Sequence, residues 1–453
     1  MDILAVNDVL NRLVYGFPMK LVFLLVGGYL VFFRIRWLNA PFRMLKVSFA
    51  ETFGAIRERA FGFGGQITPF QATMVALSAT VGTGHLLGMM AAVLVGGPGA
   101  VFWMWLGYLL GTGSKFAEAT LAVHYRRRFK DGSVSGGGMY YLSRGLPRLR
   151  FLGGLFAFFA AVAAFGGGNL AQGSAVGGAL SPWVPPGLLG MFLAILLIFI
   201  LGGGIRRVAF FAQYIVPLKL LLFLFAVLPL LLLYAGRFGQ ALALVLQAAF
   251  APEAVLGGVA GYSLFAAINA GLGRGIFANE AGLGSASIAH AQAMVDHPVR
   301  QGFWGVTEMF VSFLVTSLTA LTFIASGVWQ AGGTAAEAAR TLFQAHPLGG
   351  LALAATVAVF ALGTMVSWGF YGEEAAAYLF GEGIRWPYRI AYAVFALVGP
   401  LGGLEGFLAV SDTLNGFMAV PNLLGLVLLG GVVQRLVQEF FQGEVWRPLK
   451  DQD

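Results

Sequence analysis

Residues Ala76–Gly99 read ALSATVGTGHLLGMMAAVLVGGPG, an apolar helical pattern interrupted at Gly82-Thr83-Gly84. Inside hydrocarbon an unpaired backbone N–H or C=O is costly, so an interruption is tolerated only where it lines a protein cavity or water. At such a break one half-helix presents free amides, which attract an anion, and the other free carbonyls, which attract a cation. A small zwitterion satisfies both ends at once, and a hard monovalent cation takes the oxygens alone. Thr83 adds a hydroxyl, and the glycines allow a ligand to approach the backbone. The alternative is that Gly82 and Gly84 merely let helices pack closely. A second glycine-rich stretch, Asn269-Ala270-Gly271-Leu272-Gly273, favours the binding site over that alternative. The chemistry expected is binding rather than bond-making. No GxxxxGK[ST] loop or HExxH pair occurs, and GLGSAS has no triad partners, so no enzyme is expected.

The chain that must position these residues has 453 residues, 58% hydrophobic and 11% charged, with mean hydropathy +0.81. Soluble domains carry roughly 25% charged residues, so this composition excludes one and implies a multi-pass membrane protein. The 65 glycines fit close helix packing and helix breaks. Cysteine is absent, which removes thiol and disulfide chemistry. The net charge of +8 reads as basic cytoplasmic loops rather than a nucleic-acid surface.

A span needs about 20 apolar residues. Eleven segments qualify: 18–35, 67–96, 98–124, 149–178, 184–204, 208–234, 255–293, 299–327, 348–376, 386–406 and 412–437. The seventh is too long for one crossing and is expected to break and continue along the membrane surface. Residues 40–66 form an amphipathic interfacial segment, with Phe42, Leu45, Phe49 and Phe53 at helical spacing. With the N-terminus outside, 21 of the 28 Lys and Arg fall in inner loops, 4 lie outside, and Lys115, Lys219 and Arg274 lie within spans. That bias predicts an N-out, C-in topology. The organisation expected is an N-terminal helix plus interfacial segment (1–66), five helices (67–254), five more (255–437) and a cytoplasmic tail (438–453). Odd-numbered halves have opposite orientation. Interrupted helices at matching places in inverted halves point to a transport site at mid-membrane.

Six long motifs carry a family resemblance: ATVGTGHLLG, GGPGAVFWMWLGYLLGTGSKFAEATLAVHYR, GGGMYYLSRGL, RGIFANEAGLGSASIAHAQAMVDHPVRQG, SWGFYGEEAAAYLFG and SDTLNGFMAVPNLLGL. Over essentially its whole length the sequence resembles the alanine/glycine:cation symporters. The resemblance implies an all-α fold of the LeuT type, a 5+5 inverted repeat with one extra N-terminal helix. It also implies import of alanine or glycine driven by Na⁺, in the plasma membrane of a prokaryote, and no obligate protein partner is expected; H⁺ coupling is the alternative that the departures at His85 and Gly363 raise. A non-transporting sensor or a channel is the reading from another class, and no soluble output domain is expected.

By the same resemblance the substrate carboxylate sits against Thr83 and Gly84, with Asn169, Gln172, Ile268, Asn269, Thr364 and Trp368 completing the pocket. Trp368 would cap it and exclude long side chains. Na⁺ would take the carbonyls of Ser78 and Val81 and the hydroxyl of Thr364. Gly363 stands where a hydroxyl residue is expected and so removes a ligand. His85 replaces the asparagine usual after GTG, and an ionisable group there raises the possibility of pH sensing or proton coupling. Arg274 and Glu280 are candidates for a gate. Lys115 and Glu118, three apart, can pair on one helix face. Asp412 and Asn415 read as a cap or vestibule of the last span, and Glu373 and Glu374 as solvated.

Overall fold

The computed structural model describes residues 3–35, 41–57, 65–250, 263–402 and 405–449, and nearly all of them are helical. The chain starts with α1 (Ile3–Tyr15) and α2 (Phe17–Tyr29), which continues through a π turn to Arg34; Val6–Arg34 together make one apolar span. The helix that carries the first expected span therefore begins well before residue 18. The expected interfacial segment contains α3 (Pro41–Arg57), held by a Phe49–Phe310 edge contact and by Glu51 on Arg300 at 2.5 Å.

The first interrupted helix is α4 (Pro69–Thr80) followed by α5 (Leu87–Gly96), bent by 60° across the break. A Thr68/Gln71 capping box and Pro69 start α4, the usual chemistry for satisfying its first amides. Next come α6 (Ala100–Tyr125), the two-residue strands β1 (Arg127–Arg128) and β2 (Val134–Ser135), which form an antiparallel hairpin, and α7 (Gly138–Gly145). Helices α8 (Phe151–Phe165) and α9 (Ala171–Leu180) form one span around a π turn at Gly166–Leu170. They are followed by α10 (Pro186–Leu201), α11 (Gly204–Leu233) and α12 (Phe238–Ala248).

Then come α13 (Leu264–Asn279), the short α14 (Ser287–His290), α15 (Pro298–Ser326), α16 (Ala335–Phe343), α17 (Gly349–Phe380), α18 (Arg385–Val398), α19 (Glu405–Leu428) and α20 (Gly430–Gln442). Among the described residues five helices are long and apolar enough to cross a membrane, and two bent pairs make seven. Helices α10 and α13 are shorter apolar segments. The outer faces carry Leu25, Phe199, Leu221 and Leu232, which suit lipid rather than water. The eleventh expected span proves to be two helices, α19 and α20, bent by 56° at Leu429. The boundary expected near 254 lies outside the described residues.

The seventh segment departs most from expectation. Helix α13 runs unbroken through Asn269–Gly273. Its glycines serve packing: a Cβ at Gly271 would meet the Ala100 carbonyl oxygen at 2.2 Å, and one at Gly275 that of Met104 at 3.0 Å, so α6 lies directly against them. The break comes later, at Glu280. That residue has φ 53°, alone among described non-glycine residues in the left-handed region, and is followed by Gly282 and Gly284 at φ 88° and 82°.

A buried charge cluster ties the first helices to the later ones. Glu308 on α15 accepts from Lys115 at 3.0 Å and from Thr80 at 2.7 Å, and pairs with His290 Nε2 at 3.0 Å. Both Lys115 and Glu308 are fully buried. Lys115 therefore pairs across to α15 rather than with Glu118. Glu118 instead accepts the Gly284 amide at 3.1 Å and Asn422 Nδ2 at 2.7 Å. Glu373 and Glu374, expected in water, are buried: Arg389 grips Glu373 with two 2.6 Å bonds, and Arg385 and Ser135 hold Glu374. Removing one partner of a buried pair strands the other charge, at a cost of about 3–5 kcal/mol. Glu308→Ala is thus expected to lower the melting temperature of the detergent-solubilised protein sharply, and Lys115→Met with Glu308→Leu to recover part of the loss.

Candidate functional site

The break between α4 and α5 is built from the backbone upward. The α4 ladder ends with the Val81 amide on the Leu77 carbonyl at 2.8 Å. Gly82 is extended, at φ −127° and ψ −165°, and a single 3-10 turn, Thr83–His85, leads into α5. The turn's first bonds run from His85 N to Gly82 O and from Leu86 N to Thr83 O, so the Thr83 and Gly84 amides precede it. A Cβ at Gly82 would lie 2.7 Å from Thr364 Oγ1, so only glycine lets α17 come this close. A Cβ at Gly84 would meet nothing within 4 Å, because that residue faces a cavity.

The cavity measures about 220 Å³. Thr83, Gly84, Gln172, Arg274, Glu280, Thr364 and Trp368 line it, as do Gly167 and, from α19, Asp412 and Asn415. Thr83 Oγ1 bonds Gln172 Oε1 at 3.1 Å, and Gln172 Nε2 donates to the Gly167 carbonyl at 3.1 Å. The broken helix is thereby tied to the π turn. Such turns recur where a helix is opened for function. Trp368 lies against Gly168, where a Cβ would sit 2.4 Å from the Trp368 Cβ. Its Nε1 donates to Glu280 Oε1 at 3.0 Å, and Ser285 donates to Glu280 Oε2 at 2.6 Å. The left-handed residue at the second break is thus pinned through both side-chain oxygens, and the two breaks share one cavity.

Three expected pocket residues lie elsewhere. Asn169 is fully buried and donates to the Tyr392 carbonyl at 2.6 Å, so it joins the π turn to α18. Asn269 accepts Lys20 Nζ at 2.6 Å and joins α13 to α2, and Ile268, half-buried, packs against the apolar core. Both follow from α13 being continuous where a break was expected. Arg274 and Glu280 both line the cavity, but among the described residues no ion pair joins them; Glu280 is engaged by Trp368 instead. His85 is fully buried behind the break, outside the cavity lining, with neither ring nitrogen hydrogen-bonded among the described residues. Asp412 falls inside α19 rather than at its start, and so reaches the cavity.

The expected alkali-ion ligands do converge, but on a side chain of the protein. Lys219 Nζ, from α11, donates to the Ser78 carbonyl at 2.7 Å and the Val81 carbonyl at 2.9 Å. Thr364 Oγ1 lies 3.1–3.3 Å from the carbonyls of Phe360, Ala79 and Ser78. The residues present therefore do not fit Na⁺ as expected. Lys219 had a signal in the sequence: a lone lysine in the apolar run IVPLKLLLFLF, where an ionisable residue is functional by default.

The family model described as the sodium:alanine symporter family matches residues 2–448. The chain belongs to that family. It is 38% identical to the sodium/alanine symporter AgcS of Methanococcus maripaludis, covering 96% of each chain. It is 31% identical to the probable sodium/glutamine symporter GlnT of Bacillus subtilis, over 93% of this chain and 88% of that one. Among solved structures it matches a mutant of the Eremococcus coleocola manganese transporter at TM-score 0.50 and 16% identity, over 82% of this chain and 76% of that one, a likeness of fold. Membership in the sodium:alanine symporter family makes this a multi-pass membrane transporter and not an enzyme, and supports cation-coupled amino-acid symport.

The two glycines of the break give opposite expectations. Gly82→Ala pushes a methyl into Thr364 and should lower the melting temperature in detergent. Gly84→Ala places its methyl in open cavity and should melt like the parent.

Proposed function

We propose that this family member imports a small neutral amino acid, alanine or glycine, by alternating access across the plasma membrane of a prokaryote. One observation carries the reading: the cavity at the first break is small, polar on the Thr83–Gln172 side and walled by Trp368. Its 220 Å³ falls below the roughly 300–1,000 Å³ of pockets for drug-sized ligands. The substrate carboxylate would meet the Thr83 and Gly84 amides at the start of the 3-10 turn, where helix-end dipoles favour an anion. The ammonium would face the Asp412 side of the cavity, and Trp368 would limit the side chain to a hydrogen or a methyl.

The similarity to AgcS supports alanine, and the similarity to GlnT sets the competing substrate, glutamine. In this reading the chain comprises an N-terminal helix and two inverted five-helix units, and the two breaks belong to the moving interface between them. Rocking of the units would close the cavity on one side and open it on the other. Empty and loaded carriers must then differ in conformational preference by a few kcal/mol.

Alanine uptake into proteoliposomes tests the reading. Gln172→Ala removes the bridge from Thr83 and should reduce uptake at least about tenfold, the equivalent of 1.4 kcal/mol. Trp368→Ala should lower alanine uptake and let glutamine compete, because the wall that limits side-chain length is gone. Unchanged alanine uptake in both variants would sink the pocket assignment.

A further inference from the structure

The carbonyls expected to ligate an alkali ion are already held by an amino group of the chain itself. Lys219 is fully buried, and its Nζ lies 2.7 Å from Ser78 O and 2.9 Å from Val81 O, the oxygens at the C-terminal end of half-helix α4. That end carries the negative pole of the helix dipole, and an ammonium is a compact point charge able to meet two carbonyls at once. No salt bridge to Lys219 occurs among the described residues, so an ammonium there would rest on the two carbonyls and on the Phe360 ring face, 5.7 Å away. A buried ammonium persists only when compensated in this way.

Position 363 accounts for the room this takes. A Cβ on Gly363 would lie 2.4 Å from both Cε and Nζ of Lys219 and 2.6 Å from Ser78 Oγ. Serine or threonine there could not coexist with the ammonium where it stands. The glycine that removes a ligand from an alkali-ion site and the lysine that fills the site are thus two halves of one arrangement. Ser78 Oγ, at the same notch, is buried without a hydrogen-bond partner.

We propose that the Lys219 ammonium is the resident cation of this site, cross-linking α11 to the broken helix in place of an alkali ion. The inference rests on the carrier reading above and deepens it. Na⁺ does not enter between α4 and α17, and neither amino-acid binding nor the stability of the protein depends on Na⁺.

Two measurements on the full-length protein decide the matter. In the first, alanine binding and the melting temperature are compared in NaCl, KCl and choline chloride at equal ionic strength. A coupled ion typically changes its partner's affinity about 5–150-fold, and a bound ion raises stability with its concentration. The expectation here is an alanine affinity ratio near one and no Na⁺-specific rise in melting temperature. A saturable Na⁺-specific rise, or tighter alanine binding in Na⁺, overturns the proposal. If alanine binds in none of the three salts, the substrate reading fails, and the melting series still decides the role of Lys219.

The second measurement is a double-mutant cycle on melting temperature. Gly363→Ser is expected to destabilise the protein through the clash with Lys219. Adding Lys219→Ala, which empties the notch, should recover a substantial part of that loss. A Gly363→Ser variant as stable as the parent would place the ammonium elsewhere and overturn the assignment.

Discussion

An interrupted helix in an apolar interior leaves carbonyls and amides that water cannot reach, and most of the site follows from how this chain meets that demand. At the α4 end the oxygens of Ser78 and Val81 accept the Lys219 ammonium, while Thr364 lies within hydrogen-bonding distance of Ser78 and Ala79. At the other end Thr83 and Gly84 line the cavity. The asymmetry is chemical. Carbonyls concentrate negative potential, and here they are answered from within the chain. Gly82 and Gly363 are required because side chains at either place would hold α17 or Lys219 away.

The second break is tied to the first by side chains rather than by shared backbone. Trp368 on α17 lies against Gly168 of the π turn and donates to Glu280, the residue where α13 ends in a left-handed conformation. A non-glycine residue in that region is held by its surroundings, and here both carboxylate oxygens are engaged. Nearby, Glu308 collects Thr80, Lys115 and His290, so α4, α6, α14 and α15 meet on one buried carboxylate. A ligand in the cavity therefore touches elements that are already cross-connected, which is what a carrier needs if occupancy is to change the balance between two arrangements.

The glycine content also separates into distinct roles once neighbours are known. Gly271 and Gly275 allow α6 to lie against α13, as small residues do in membrane helix pairs. Gly282 and Gly284 supply the positive φ of the turn that follows Glu280. Equal composition thus hides opposite functions, one continuing a helix and the other ending it.

What the sequence by itself determined was local: an apolar helical chain, the Gly-Thr-Gly interruption, the helix α3 and the residues flanking the first break, because hydropathy and glycine placement act on the segment that contains them. The position of the second break was not legible, since Asn269–Gly273 and Glu280–Gly284 are both glycine-rich and only the approach of α6 shows which must stay helical. Nor could spacing show that Lys115 would choose Glu308 over Glu118, or that Glu373 and Glu374 would be enclosed by arginines. The tertiary structure alone decided what stands at the Ser78 and Val81 carbonyls. A buried charge is set by whichever partner the fold brings within 3 Å, and Lys219 arrives there from more than 130 residues along the chain.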